Sequence, residues 1–237
     1  MQAKMRPPPA RALRPKRRIF SASFILHLPF RICILPAMSA TTSTMLALGT
    51  AAPAFSLPDV VTGRAVALAD FAEKKALLVV FLCAHCPYVV HVQPELARIA
   101  RDYAAASVAL VGISSNDVAQ YAEDAPTPTA AWARAGGLAF PILYDETQAV
   151  AKAYTAACTP DFFLFGPDRT LVYRGQIDGS RPMRGPGRPG NGTPDGADLR
   201  AALDAVLAAQ PANPRQMPSI GCNIKWKPGN EPTYFPL

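Results

Sequence analysis

The sequence predicts an α/β protein with a central mixed sheet flanked by helices, and three observations carry that prediction. Residues 76–82, Ala76-Leu77-Leu78-Val79-Val80-Phe81-Leu82, are apolar at every position, as expected of a central strand covered on both faces. A segment with helical spacing separates this run from a second apolar run at residues 108–113, which is the order of two parallel strands joined by a crossover helix. Residues 161–165 and 171–175 flank the turn Gly166-Pro167-Asp168-Arg169, so the sheet should close on an antiparallel hairpin.

Taken in order, residues 1–45 have the composition of a targeting segment: Arg-rich, acid-free, with Ser and Thr gathered at Ser39-Ala40-Thr41-Thr42-Ser43-Thr44. Delivery to a chloroplast or mitochondrion is the expectation. A secretory signal competes, because Lys16-Arg17-Arg18 precedes an apolar run at 19–30, as does an internal start at Met38 or Met45 that leaves a cytoplasmic product. That run holds His27 and Pro29 and is broken by Arg31, too short for a stable membrane span. The folded domain is expected over 46–209. A turn at Gly63 and a short strand at 65–68 lead into the central strand. Apolar residues at Val89, Val92, Leu96, Ile99 and Tyr103 then predict a helix over 86–104, with Pro87 in its first turn and Pro94 kinking or restarting it. The second strand ends at Ser114-Ser115-Asn116, read as a helix cap. Further helices are expected over 126–135, 146–154 and 197–209, with a short strand at 140–145 and a Gly/Pro loop at 181–194. The tail, 210–237, has no periodicity and is expected to pack on or near the domain.

The 237-residue chain carries a net charge of +7, which would suggest a nucleic-acid partner were it evenly spread. Residues 1–58 hold eight Lys/Arg and no acid, leaving 16 basic against 17 acidic residues in the remainder. No nucleic-acid-binding domain is therefore expected. The five cysteines, at positions 33, 83, 86, 158 and 222, are too few and too unevenly placed for a disulfide-stapled fold. Cys33, inside the targeting segment, is assigned no chemistry.

The stretch that carries chemistry is Leu82-Cys83-Ala84-His85-Cys86-Pro87-Tyr88, two cysteines two residues apart between a strand and a helix. A thiol in water has a pKa of about 8.5, and only the thiolate attacks a disulfide. Three features should supply the thiolate at Cys83: a helix N-terminus, an S–H donor on Cys86, and His85 as a cation or donor. A histidine there favours the reduced form and makes the pair more oxidising. Cys83 is thus read as nucleophile, Cys86 as its resolving partner, and no bound cofactor is required. The competing reading is half of a zinc site, with Cys158, Cys222 or His91 completing the ligands, or a redox-inert binding module. The strand–CxxC–helix context and the lack of a second CxxC or HxxxH favour redox chemistry, with His91 a helix-surface residue.

Three stretches together resemble one family: Phe81-Leu82-Cys83-Ala84-His85-Cys86-Pro87-Tyr88-Val89, Ala157-Cys158-Thr159-Pro160-Asp161-Phe162-Phe163, and Pro218-Ser219-Ile220-Gly221-Cys222-Asn223-Ile224-Lys225-Trp226. They are similar to thioredoxin-family proteins of the peroxiredoxin-like group, within the alkyl hydroperoxide reductase and thiol-specific antioxidant superfamily. The resemblance spans about residues 46–235, with Ala84 standing where the family usually has Asn. It implies a thioredoxin-like fold and an antioxidant oxidoreductase activity. It also implies a cis bond before Pro160, packed against the CxxC sulfurs, with the Thr159 backbone free to pair with an extended substrate segment. Partners would be a disulfide-containing protein substrate or a peroxide, and a thioredoxin- or glutathione-type reductant. A peroxiredoxin motif, Pro-x-x-x-Thr/Ser-x-x-Cys, is missing: counted back from Cys83 its positions hold Ala76 and Val80, and from Cys86 Val79 and Cys83. Disulfide exchange is therefore preferred over thiol peroxidase activity. Cys158 and Cys222 are either buried small residues or accessory thiols, the latter if the tail folds back and brings Lys225, Trp226 and Lys227 near a thiolate.

Overall fold

The computed structural model describes residues 40–183 and 190–235. In chain order the elements are β1 (Ala40–Thr42), β2 (Ser56–Pro58), β3 (Ala65–Ala67), β4 (Ala76–Phe81), α1 (Pro87–Asp102), β5 (Val108–Ser114) and α2 (Pro126–Ala135). They continue as β6 (Ile142–Tyr144), α3 (Ala149–Ala153), β7 (Cys158–Thr159), β8 (Asp161–Phe165), β9 (Leu171–Gly175), α4 (Ala197–Leu207) and β10 (Ile220–Asn223). The main sheet has the order β6-β5-β4-β8-β9, with β4, β5 and β6 parallel and β8 and β9 antiparallel. This is the mixed sheet the sequence predicts.

β4 lies at the centre and every one of its residues is buried. Its alternation divides the core. Leu78 and Val80 pack with Val89, Val92, Leu96 and Ile99 of α1 and Leu199 and Leu203 of α4, while Leu77, Val79 and Phe81 face the opposite cluster. There Phe81, Tyr154 and Phe163 meet edge to face with centroids 5.5–5.8 Å apart. A continuous apolar strand thus yields two half-cores, one under the helix that carries the CxxC.

Several elements differ from the sequence expectation. α1 runs unbroken through Pro94, because that residue is on the exposed side, where water can satisfy the Val90 carbonyl it leaves without a partner. Ser114-Ser115-Asn116 do not cap a helix. β5 runs through Ser114, α2 starts only at Pro126, and the next two side chains bind across the loop, Ser115 to Asp145 at 3.0 Å and Asn116 to Asp124 at 2.8 Å. α3 begins at Ala149, later than expected, because Asp145 turns back to accept the Ala151 N–H at 2.9 Å. Residues 40–42, assigned above to the targeting segment, form β1. The tail contains β10, and the two strands pair with each other. The remainder of the targeting segment, Cys33 included, lies outside the described residues. Among the described residues no helix is long and apolar enough to cross a membrane.

Asp161 opens β8 fully buried; its Oδ2 accepts the Ala157 N–H at 3.2 Å while Oδ1 has no hydrogen-bond partner. Burial raises its pKa to about 7 against the pull of the surrounding N–H donors. A carboxyl whose folded pKa is raised stabilises fully below its unfolded value, near pH 4, and loses that contribution as pH rises through about 7. Asp161→Asn carries no such titration. Its stability relative to the parent should therefore rise between pH 5 and pH 8, by at most about 3 kcal/mol. Thermal unfolding at both pH values checks this, and a difference independent of pH would contradict it.

Candidate active site

β4 ends at Phe81, and the chain crosses to α1 through Leu82-Cys83-Ala84-His85. Cys86 is the extended N-cap residue of α1, with Pro87 at the first helical position, where no N–H is needed. Opposite stands the Thr159-Pro160 bond, cis as the resemblance implies. Thr159 is the common neighbour of both thiols. Its hydroxyl is 3.4 Å from Cys83 Sγ and its carbonyl is 3.1 Å from Cys86 Sγ. A shallow cleft runs past Pro160, bordered by Tyr88, His91, Phe162, Ile177 and Ile220.

The thiols are not at an open groove. β10 pairs antiparallel with β7, Cys222 opposite Thr159 and Asn223 opposite Cys158, and β1 pairs on its outer side. The Thr159 backbone, expected to be free for a substrate, is taken by the chain's own tail. Gly221 is what permits it: a Cβ there would lie 2.0 Å from the Thr159 carbonyl oxygen. The tail is tied on both sides, by Ser219 Oγ to the Gly175 carbonyl at 2.7 Å and by Lys225 N–H to Asn116 Oδ1 at 2.9 Å. Beneath it Cys83, Cys86 and Cys222 are at most 3% exposed. All four described cysteines are thiols.

Opposed residues of an antiparallel pair point to one face, so Cys222 lies on the Thr159 side-chain face and Cys158 on the other. Cys158 directs its S–H at the carbonyls of Pro160 and Ser219, 3.6 and 4.0 Å away, and burial pushes its pKa up. It is a packing residue. Cys222 instead comes within hydrogen-bonding reach of Cys86. Of the three tail residues expected near a thiolate, Lys225 acts on Cys222 while its Nζ lies over the Tyr121 ring, and Trp226 packs in the far half-core.

The distribution of charge differs from the expectation that Cys83 is the thiolate. Its hydrogen bond to Cys86, then burial, then the Asp124 charge hold the Cys83 thiol well above the ordinary range. Burial also pushes Cys86 up. Hydrogen bonds from Cys222, Cys83 and Thr159 and from the Val89 N–H outweigh it and bring Cys86 down. The Thr159 carbonyl, which favours a proton on Cys86, opposes these donors and is outnumbered. The side chains of Cys222, Cys83 and Thr159 contribute most to this lowering, and the Val89 N–H at the start of α1, where Cys86 is the N-cap, contributes least. Hydrogen-bonding to Cys86 and burial likewise push Cys222 up, so the first anion of the cluster rests on Cys86.

His85 is held by Asp124, with a ring nitrogen still within 4.8 Å of Cys83 Sγ. Its Nδ1 lies 2.6 Å from Asp124 Oδ2, a close ion-pair contact in which the N–H does not point along the line, and its ring stacks on Tyr121 at 5.4 Å. Burial pulls the His85 pKa down, but Asp124 more than restores it, and the net shift is upward. Asp124 is fully buried, accepting also the Ala84 N–H at 3.0 Å and the Asn116 amide at 2.8 Å. It fixes the CxxC loop. Sequence reasoning missed it, since an acid in a loop before Pro126 carries no signal of a partner 40 residues upstream. His91 bonds Ser180 at 2.9 Å and takes no part.

Of the zinc ligands proposed from sequence, Cys158 and His91 are turned elsewhere. Cys222 stands beside Cys86, but among the described residues the donor atoms of Cys83, Cys86 and Cys222 do not all lie within 4.8 Å of one another. Donor atoms of Cys83, His85 and Asp124 do lie within 4.8 Å of one another. The 2.6 Å His85–Asp124 separation is nevertheless that of two groups bonding each other. Two ligands at about 2.0–2.1 Å from a tetrahedral ion would stand about 3.3 Å apart. The set as arranged does not fit zinc.

A sheet of this order with two thiols at the β4–α1 junction, opposite a cis-proline, defines a thioredoxin-like dithiol protein. The sequence pattern of the AhpC/TSA family matches residues 48–174, and the chain belongs to that family. It is 51% identical to an uncharacterized conserved protein from Geobacillus kaustophilus, whose crystal structure superposes with a TM-score of 0.76 over 81% of this chain and 98% of that one. A hypothetical protein from Sinorhizobium meliloti gives 48% identity and 0.75 over 80% of this chain and 100% of that one. A putative peroxiredoxin of Mycobacterium tuberculosis is 32% identical over 49% of this chain and 68% of its own length. At 16% identity a putative thiol:disulfide interchange protein from Chlorobium tepidum shares the fold, with a TM-score of 0.52 over 68% of this chain and 99% of that one. The family implies oxidoreductase activity in general.

Asp124→Asn keeps an acceptor for the Ala84 N–H but removes the charge that raises both Cys83 and His85. Both pKa values should fall, read as a lower His85 midpoint by NMR and as Cys83 alkylation that sets in at lower pH. Unchanged midpoints would remove Asp124 from the electrostatics of the site.

Proposed function

We propose that the protein is a thiol–disulfide oxidoreductase with an antioxidant role, cycling Cys83 and Cys86 between dithiol and disulfide. The observation that carries this reading is a pair of thiols at the strand–helix junction, each in contact with Thr159. Cys83 lies in the loop ahead of α1, whereas Cys86 is enclosed by the N-terminus of α1, Thr159 and Cys222, so Cys83 attacks. Its sulfur bonds to one sulfur of the substrate disulfide, its proton passes to the Cys86 thiolate, and the other substrate sulfur leaves as thiolate. That thiolate takes the proton from Cys86. Cys86 then attacks Cys83 Sγ, closing the Cys83–Cys86 disulfide and releasing the second substrate sulfur as a thiolate, which takes its proton from water. A protein disulfide reaches Cys83 when β10 yields the Thr159 edge, with Pro160 and the adjoining cleft receiving the chain on either side of it. Electrons return from a thioredoxin- or glutathione-type dithiol or thiol.

Cys83→Ser is expected to abolish insulin-disulfide reduction, and Cys86→Ser to accumulate mixed disulfides. Full turnover by Cys83→Ser would falsify the assignment.

A second reading, reduction of a peroxide at Cys83, draws support from the Thr159 hydroxyl 3.4 Å from its sulfur and from a covered site that suits a small oxidant. Against it, the charged side chain acting most strongly on Cys83 is the anion Asp124. Peroxide consumption with a thioredoxin system should therefore be slow; a rate far above that of free cysteine would reverse the preference. The basic, acid-free composition of residues 1–45 supports delivery to a chloroplast or mitochondrion, to be read from a fluorescent fusion of that segment.

A further inference from the structure

We propose that Cys222 is a third redox thiol of this site, and that the oxidised protein transfers its disulfide from Cys83–Cys86 to Cys86–Cys222. The inference rests on the reading of Cys83 and Cys86 as a cycling pair and extends it to the tail.

Three independent features place Cys222 for the transfer. The β7–β10 register sets it directly opposite Thr159, on the face where the Thr159 hydroxyl meets Cys83 and the carbonyl meets Cys86. Directly opposed residues have Cβ atoms about 4.5–5.5 Å apart, so a group beside Thr159 is within one side-chain length of Cys222. Gly221 holds that register closely, because only a residue without a side chain lets the tail lie against the Thr159 carbonyl. The tail is also anchored on either side, at Ser219 and Lys225, so Cys222 does not depend on a loose end for its position. Cys222 and Cys86 already stand close enough in the dithiol state for each to shift the titration of the other. Cys158, one residue before Thr159, points to the other face and is excluded by the same alternation.

The step balances without any external reagent. Starting from the Cys83–Cys86 disulfide, Cys222 Sγ attacks Cys86 Sγ, the Cys83–Cys86 bond breaks, and the Cys222 proton ends on the leaving Cys83 sulfur. The products are a Cys86–Cys222 disulfide and a Cys83 thiol, with no net change in oxidation state. The consequence is physical. The new bond staples β10 to the N-terminus of α1 and closes the Thr159 edge covalently. The oxidised protein therefore cannot take another protein disulfide there until a reductant has opened the tail.

Disulfide mapping of the full chain tests this. The protein is reduced, oxidised with hydroxyethyl disulfide, quenched in acid, alkylated in denaturant and digested with trypsin. Cys83 and Cys86 then share the peptide 76–98, and Cys222 lies on 216–225. The expected main product is a cross-link between these two peptides with Cys83 alkylated. Cys83→Ser should retain the cross-link and Cys86→Ser should lose it. Oxidised Cys222→Ser should hold only the disulfide within 76–98. A parent protein that shows only that internal disulfide, with Cys222 alkylated, overturns the proposal while leaving the CxxC reading intact. A Cys222→Ser protein that forms no disulfide at all defeats the CxxC reading, and the transfer falls with it.

Discussion

The interaction on which the site depends is a two-residue ladder between β7 and β10. Without it the tail has no reason to cross the N-terminus of α1, β1 has no partner, and Cys83 and Cys86 face solvent. The ladder is short, and two backbone pairs are worth little by themselves. Its persistence comes from what surrounds it: Gly221 against the Thr159 carbonyl, Ser219 and Lys225 tied to neighbouring loops, and Trp226 buried in the far half-core. Burial of one aromatic side chain stabilises by about 1.5–3 kcal/mol, more than the two pairs it secures. The tail is part of the domain.

Sealing changes the acid–base chemistry underneath. A solvated CxxC has water to stabilise whichever sulfur ionises. Here burial raises both thiols, so the anion settles on the sulfur with more donors, and that is Cys86. Asp124 reinforces the choice by its charge on Cys83 and by taking His85 for itself. The histidine is thereby paired first with Asp124, although a ring nitrogen stays within 4.8 Å of Cys83 Sγ. Its influence on the pair is exerted through Asp124, whose charge it partly offsets.

The layered sheet was legible because each strand announces itself locally. β4 is apolar throughout, and β8 and β9 occupy the hairpin positions read from the Gly166–Arg169 turn. The placement of Cys83 and Cys86 at the strand–helix junction was legible for the same reason, since strand, cysteines and helix are contiguous. What escaped was everything made by contact between distant segments. β1 and β10 have three and four residues, too few for periodicity, and exist because each satisfies the other's backbone. Asp124 bonds the Ala84 N–H across 40 residues. The thiolate was placed on Cys83 because motif order does not show that the distant side chains of Cys222 and Thr159 join Cys83 in lowering Cys86.

These pieces bear on which of the family's chemistries this chain favours. Peroxide reduction asks for a thiolate exposed to a small molecule and flanked by a cation and a hydroxyl. Disulfide exchange asks for two sulfurs in contact and an edge strand to hold a peptide. The chain has two sulfurs that share Thr159 as a neighbour. It also has the edge, but occupied by a segment of its own that presents a cysteine beside Cys86. That arrangement is what a substrate would look like if tethered: an extended strand on the Thr159 edge with sulfur aimed at the pair. A tail that merely shielded the thiols could do so with any small apolar residue at 222. A sulfur there, on the one face that reaches Cys86, is the feature that makes exchange within the molecule as accessible as exchange with another.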